Sequence, residues 1–418
     1  MSLLLKNASY IDPTNLKIFK GDLLLDCGKM EKLCSGHGKS GSSEYDLGGK
    51  WVTKSFVCGH HHAYSLLARG MPYPKKAPTN FEEILKSIWW NLDKKLDRDM
   101  VRASALGTAL QLAKAGSTFV IDHHSSPNFS NGVLGTIKEA FESLGLSHHL
   151  CLELSDRDGQ KCLEDGLLET SRFLESGHGL IGLHASFTVS DSLLASARTL
   201  VDRYDSGIHI HVAEDLCDQS DCQKKYGKSV VERLADYGFL RNKKTILAHC
   251  LHLSDNERKL LKDSACSIVV STESNQNNGV GKFDISGLNP DRVMLGTDGM
   301  HSNMIQSARV FFLDQHSDGG ADMGLCYQIF RNSHRYLKEN QIAGDGGDNL
   351  VVFNYDSPTE INDQNFLGHF FYGLSERHVD SVISSGEFIV KEKKIVKQDE
   401  DEILKFCREQ GERLWQKL

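Results

Sequence analysis

Four short stretches of the chain gather side chains that can hold a metal ion or move a proton. The first is Gly59-His60-His61-His62. On an extended strand, side chains two apart point the same way, so His60 and His62 share one face and His61 takes the other. Two neutral imidazoles at that spacing suit Zn²⁺ or a similar divalent ion. The second, His209-Ile210-His211-Val212-Ala213-Glu214, again places two imidazoles on one face, with a carboxylate following. The third and fourth, Ala248-His249-Cys250 and Gly296-Thr297-Asp298-Gly299, each put one such group at the end of a short apolar run. A lone strand-end histidine is commonly a satisfied core residue. Four such stretches in chain order point instead to one site assembled from several strands. Its chemistry would be hydrolysis, because a metal makes water ionise near neutral pH and a carboxylate can accept and redeliver the proton.

The elements that must position these groups can be read from the alternation of text. Strand-like runs fall at Phe56–Cys58, Thr118–Asp122, His149–Glu153, Ile181–His184, Ile208–His211, Ile246–His249, Cys266–Val270 and Val293–Asp298. Helical stretches such as DMVRASALGTALQLAKAG, DSLLASARTLVDRYD and SDNERKLLKDSA separate them, several opening on Asp or Ser as N-caps. Eight strands alternating with helices predict an α/β fold, a (β/α)₈ TIM-type barrel, with its active site at the C-terminal strand ends. Residues 53–345 are assigned to this barrel. Residues 1–52 and 346–398 read as short strands and turns, predicting a small β-sandwich domain built from both termini. Residues 399–418 predict an amphipathic helix whose packing face is Ile403, Leu404, Cys407, Leu414 and Trp415.

Composition narrows the function. The 418 residues carry 48 basic and 56 acidic side chains, a net charge of −8. That balance disfavours phosphate-backbone binding, so no nucleic-acid polymer is expected as partner. Base-editing deaminases hold zinc through a PCxxC motif, and the chain has none. The 11 cysteines are scattered without a CxxC, which predicts free thiols in a reducing compartment. Neither a signal-like start nor an 18-residue apolar window occurs, so a cytoplasmic protein without membrane association is expected.

The stretches FVCGHHHAYSLLARGM, HIHVAED, LAHCLHLS and LGTDGMHSNM resemble the amidohydrolase superfamily. The nearest branch is the aminohydrolase/chlorohydrolase group with cytosine, guanine and S-adenosylhomocysteine deaminases. Within it, GHHHAYSLLARG, IDHHSSP and GTDGMHSNM are similar to SsnA-type aminohydrolases. The resemblance implies one divalent metal, Zn²⁺ before Fe²⁺ or Mn²⁺, held by His60, His62, His211 and Asp298. Asp298 would also take the proton of the attacking water, Glu214 would carry it to a ring nitrogen and the leaving amine, and His249 would hold the attacking group. His209 would support the shell. Binuclear relatives bridge two metals with a lysine on strand four, where this chain has His184 in IGLHASFT.

For the substrate, the resemblance points to His184, and weaker candidates are His123, His124, Asn275 and Arg69. Ser274 precedes Asn275 as the family's Ser-Asn pair. Trp89, Trp90 and Phe81 read as helix core or as a lid over a flat ring. Two departures stand out: Lys54-Ser55 replaces Pro-Gly before strand one, and STESNQNNGVG lacks the usual proline. The leading function is hydrolytic deamination of a purine- or pyrimidine-like heterocycle. Dechlorination, N-dealkylation and cyclic amide hydrolysis use the same residues, and a non-catalytic scaffold is a third reading. The expected partners are a small-molecule substrate and, from the resemblance, further copies of the chain in a dimer or larger homo-oligomer.

Overall fold

A computed structural model describes residues 2–34, 42–317, 319 and 321–418, with the backbone alone for Ser176. Its centre is an eight-stranded parallel sheet in sequential order. The barrel strands are Phe56–His61, Ser117–His124, Ser147–Leu154, Ile181–Ala185, Ile208–Val212, Ile246–His249, Ser267–Val270 and Val293–Leu295. Valine and isoleucine together lead their buried apolar residues, the types that fill a strand packed on both faces. The sheet closes on itself where Thr297 N and Asp298 N donate to His60 O at 2.9 and 3.1 Å. Glycine makes that closure possible. A Cβ on Gly296 would lie 2.7 Å from the His60 backbone oxygen, and one on Gly59 would lie 2.7 Å from Leu295 O.

The outer helices begin where capping chemistry predicts. Asp97 accepts from Met100 N, and Ser190 accepts from Leu193 N. Ser229 with Glu232 and Ser254 with Glu257 form reciprocal capping boxes. These caps fix where each helix leaves its strand, which sets the length of the loops at the barrel mouth.

Both chain ends build one mixed nine-stranded sheet. Trp51–Lys54 is its joint, pairing parallel with Leu3–Ile11 and antiparallel with Leu350–Phe353. Because it runs straight into the first barrel strand, the expected division after residue 52 falls inside a continuous strand. Alternation sorts the sheet's side chains. Leu350 and Val352 join Leu5, Leu23 and Ile383 in the sheet's own core, while Val351 and Phe353 point to the barrel's core. The terminal helix, Glu400–Trp415, buries Ile403 and Leu414, and Trp415 Nε1 donates to Leu67 O at 2.8 Å. No helix among the described residues is long and apolar enough to cross a membrane.

Candidate active site

The first strand delivers its histidines as its two-residue period requires. His61 turns outward to Ser302 Oγ at 3.1 Å, while His60 and His62 turn inward. From the fifth strand His211 meets them, with its Nε2 3.2 Å from His62 Nε2. Asp298 follows the eighth strand. Its Oδ1 stands 3.1 Å from His62 Nε2 and 3.8 Å from His60 Nε2. On the other side, His249 Nε2 lies 3.5 Å from Glu214 Oε2 and 3.9 Å from Asp298 Oδ2. Six residues distant in sequence thus converge at one end of the barrel.

The hydrogen bonds behind these side chains set which nitrogen faces inward. His62 Nδ1 donates to His123 O at 2.5 Å, His211 Nδ1 to His184 O at 2.8 Å and His249 Nδ1 to Asn275 Oδ1 at 2.8 Å. His60 Nδ1 pairs with His209 Nε2 at 2.9 Å. Each Nε2 is therefore turned into the site, and those of His60 and His249 are buried with no hydrogen-bond partner. Lone pairs aimed at one another in a dry site are costly unless a cation lies between them. Burial, with repulsion from neighbouring imidazoles, pushes His60 well down and His211 down to about 3, so both stay neutral. Burial would lower His62 too, but the Asp298 carboxylate pulls it up to about 9. The donor set, three imidazoles and a carboxylate with the outer ring nitrogens tied to backbone oxygens or to His209, fits a divalent cation.

Strain marks the same strand ends. Ala213, His249, Cys250 and Asp298 all have left-handed φ, between 47° and 70°. Such conformations cost about 1–3 kcal/mol each for non-glycine residues and persist where surrounding structure imposes them. Here Cys250 N donates to Val212 O, and Ala213 N donates to the buried Asp218 carboxylate at 2.9 Å. These bends turn Glu214, His249 and Asp298 into the mouth. Asp298 is further held by Ser274 Oγ at 2.6 Å and Gly299 N at 2.7 Å. Burial raises Glu214 to about 7, the charge of Asp298 acting in the same direction.

Above these groups lies a cavity walled by Tyr64, Phe81, Leu85, Trp89, Trp90, His184 and Met300. Leu85 and Trp89 lie in a π-helical turn, Leu85–Trp89, and Trp90 opens the helix that follows. His184 faces the cavity, with Nδ1 on Thr188 Oγ1 at 2.7 Å. The other substrate candidates stand elsewhere. His123 is buried beneath the site, its Nε2 near Leu183 O and His209 O. His124 binds Ser126 Oγ at 2.8 Å, and exposed Arg69 binds Gln111 Oε1. None of these three lines the cavity, and Asn275 instead orients His249.

The amidohydrolase family model matches residues 51–328, the barrel and the joint strand before it. The chain belongs to the amidohydrolase family. This amidohydrolase is 28% identical over 419 residues to a 5-methylthioadenosine/S-adenosylhomocysteine deaminase of Thermococcus sibiricus, covering 93% of this chain and 94% of the relative. It is 30% identical over 411 residues to a 5'-deoxyadenosine deaminase of Methanopyrus kandleri, covering 89% and 88%. Its fold matches an adenosine deaminase from Xanthomonas campestris with bound zinc at a TM-score of 0.80 and 14% identity, over 99% of this chain and 98% of the other.

The structure adds a group that spacing did not reveal. Glu153, at the end of the third strand, and Asp93, below the tryptophans, both line the amidohydrolase's cavity and both meet Arg157. Burial pushes Glu153 up to about 7 despite that guanidinium. The available signal was Glu153's place at a strand's C-terminal end.

Proposed function

We propose that the protein hydrolytically deaminates a flat nitrogen heterocycle of the aminopurine or aminopyrimidine kind, with Zn²⁺ held by His60, His62, His211 and Asp298. The observation that carries this is the pairing of two carboxylates with opposite proton affinities. Burial would raise Asp298, but His62 and His249 hold it well below the usual carboxylate range, whereas Glu214 is lifted to about 7. Environments that push two acids apart assign acid and base roles. The named relatives, deaminases of adenosine-type compounds, support the same reaction.

When bound, the ion supplies Lewis acidity and makes water ionise near neutral pH. Asp298, ionised, accepts a proton from the attacking water. Glu214, protonated near neutrality, donates to a ring nitrogen, takes up the proton that the new hydroxyl group releases as the carbonyl forms and passes it to the departing amine; the proton on Asp298 then restores Glu214, so that an amino heterocycle and water yield the oxo heterocycle and ammonia. His249 turns an unpartnered Nε2 into the site between these two carboxylates and positions the attacking oxygen. Trp89, Trp90 and Phe81 cover the ring and exclude solvent. Glu214 favours loss of an amine over loss of chloride, which needs no proton.

The test is metal content of the purified protein followed by ammonia release from aminopurines, aminopyrimidines and their nucleosides. Glu214→Gln and Asp298→Asn should each lower turnover by roughly 10²–10⁴-fold with the fold intact. Near-normal rates for Glu214→Gln would remove the proton shuttle. Metal bound as tightly by His62→Ala as by the parent would overturn the ligand set.

A further inference from the structure

The wall of the cavity formed by the third strand and the segment under the tryptophans is acidic. Asp93 is 1% exposed and lines the cavity. Its Oδ2 accepts from Ser125 Oγ at 2.9 Å and meets Arg157 Nη2, while its Oδ1 is buried with no partner. Glu153 stands beside it, with a carboxylate oxygen within 4.8 Å of ring nitrogens of His184 and His211. Its Oε1 lies 3.2 Å from both Ser125 Oγ and Arg157 Nη2, and its Oε2 lies 3.8 Å from His123 Nδ1, beyond hydrogen-bond reach.

Acidic side chains crowd this wall. Asp93, Glu153 and Asp158 surround one guanidinium, Arg157. Lys94, at the rim, reaches Asp158 at 2.8 Å. The acids outnumber the lysine and arginine side chains beside them, so a cationic group entering the cavity would find carboxylate oxygen to pair with. Arg157 is not among the residues that line the cavity. Its Nη2 faces Asp93 and Glu153, its Nε is 2.9 Å from Asp158, and its guanidinium lies over the Trp90 ring with Cζ 5.2 Å from the centroid. No Lys or Arg is among the described residues that line the cavity, whereas Asp93, Glu153, Glu214 and Asp298 all do.

We propose that Glu153 and Asp93 form a subsite for a positively charged nitrogen group, so that the substrate is an amino heterocycle bearing an amidinium-like or ammonium substituent and no phosphate, sulfonate or carboxylate. An amidinium offers two parallel N–H donors, the complement of the unpartnered Asp93 Oδ1 and of the neighbouring Glu153 carboxylate. The aromatic wall of Trp89, Trp90 and Phe81 accepts the flat ring that carries it. Glu153 and Asp93 are specificity residues here and take no part in the proton transfers assigned to Glu214 and Asp298.

The inference rests on the deaminase reading only for calling the ligand a substrate, and its test needs no turnover. Calorimetric titration of the zinc-loaded protein with benzamidine, benzamide and benzenesulfonate compares one flat ring carrying a cation, a neutral amide and an anion. Benzamidine should bind at least about tenfold more tightly than benzamide, with benzenesulfonate weakest. In Glu153→Gln and in Asp93→Asn that preference should fall below about threefold, with circular dichroism confirming the fold. Equal binding of amide and amidine, tightest binding of the sulfonate, a preference unchanged in both variants, or no binding of any probe at millimolar concentration overturns the subsite. Ammonia release without a probe preference defeats this inference and spares the deaminase. A probe preference without ammonia release does the reverse.

Discussion

At the scale of single residues, the site works through side chains whose other end is tied to the backbone or to a neighbour. His249 shows what such a tie contributes. Its Nδ1 is fixed by Asn275 Oδ1, so the ring cannot rotate its free Nε2 away from Glu214 and Asp298. Outer partners of this kind typically change activity by about 10–100-fold when removed. Asn275→Leu is expected to lower kcat by that amount, and Asn275→Asp, which keeps an acceptor, by less. Metal content should not change, because His249 is placed outside the ligand set. Loss of metal together with activity would move His249 into that set. The imidazoles and carboxylates of the centre were legible from their spacing, since strand periodicity dictates that His60 and His62 aim together. The task of Asn275 was not, because nothing in a one-dimensional pattern says whether a side chain after a strand turns to the ligand or to its neighbour. The same blindness covers His123 and His124, adjacent residues that both leave the cavity wall.

At the scale of elements, the proposed ligands depend on the closure of the barrel. Asp298 reaches His62 only because the eighth strand's end lies against His60, and it lies there because Gly296 has no side chain. A methyl at that position would press on His60 Cβ, its nitrogen and its oxygen, all within 2.9 Å. Crowding of backbone cannot be relieved by a rotamer change, so Gly296→Ala should cost roughly 1–3 kcal/mol or more, judged by chemical unfolding. It should also weaken metal retention, since both strands that carry the proposed ligands are pushed apart. A variant as stable and metal-replete as the parent would show that the seam is soft. Alternation of strand and helix made the barrel readable, and the Asp and Ser caps made helix starts readable. The covering segment was not, because Phe81 and Trp89-Trp90 on a helical stretch look like core. The structure sets that segment, with its π-helical turn at Leu85–Trp89, against the cavity.

At the scale of the whole molecule, the fold encloses many histidines that serve as neutral groups, and this sets its response to acid. Burial pushes His124 down to about 4 and His149 down to about 3, from an ordinary value of 6.5. The unfolded chain takes up protons on both residues as pH falls through about 6.5, while the folded chain takes them up only near their depressed values. Between those limits the unfolded state binds more protons. Stability therefore falls as pH drops from about 6.5 toward 4, by up to about 1.4 kcal/mol per pH unit for each histidine. Urea unfolding at pH 7.5, 5.5 and 4.5 measures that slope. His149 has an unpartnered Nδ1, so an apolar replacement of similar size removes the proton without breaking a hydrogen bond there. His149→Leu should change stability little at pH 7.5 and flatten the acid limb by about one proton's worth, roughly 1.4 kcal/mol per pH unit. An acid limb as steep as the parent's would mean that His149 titrates alike in both states and that its burial carries no electrostatic cost.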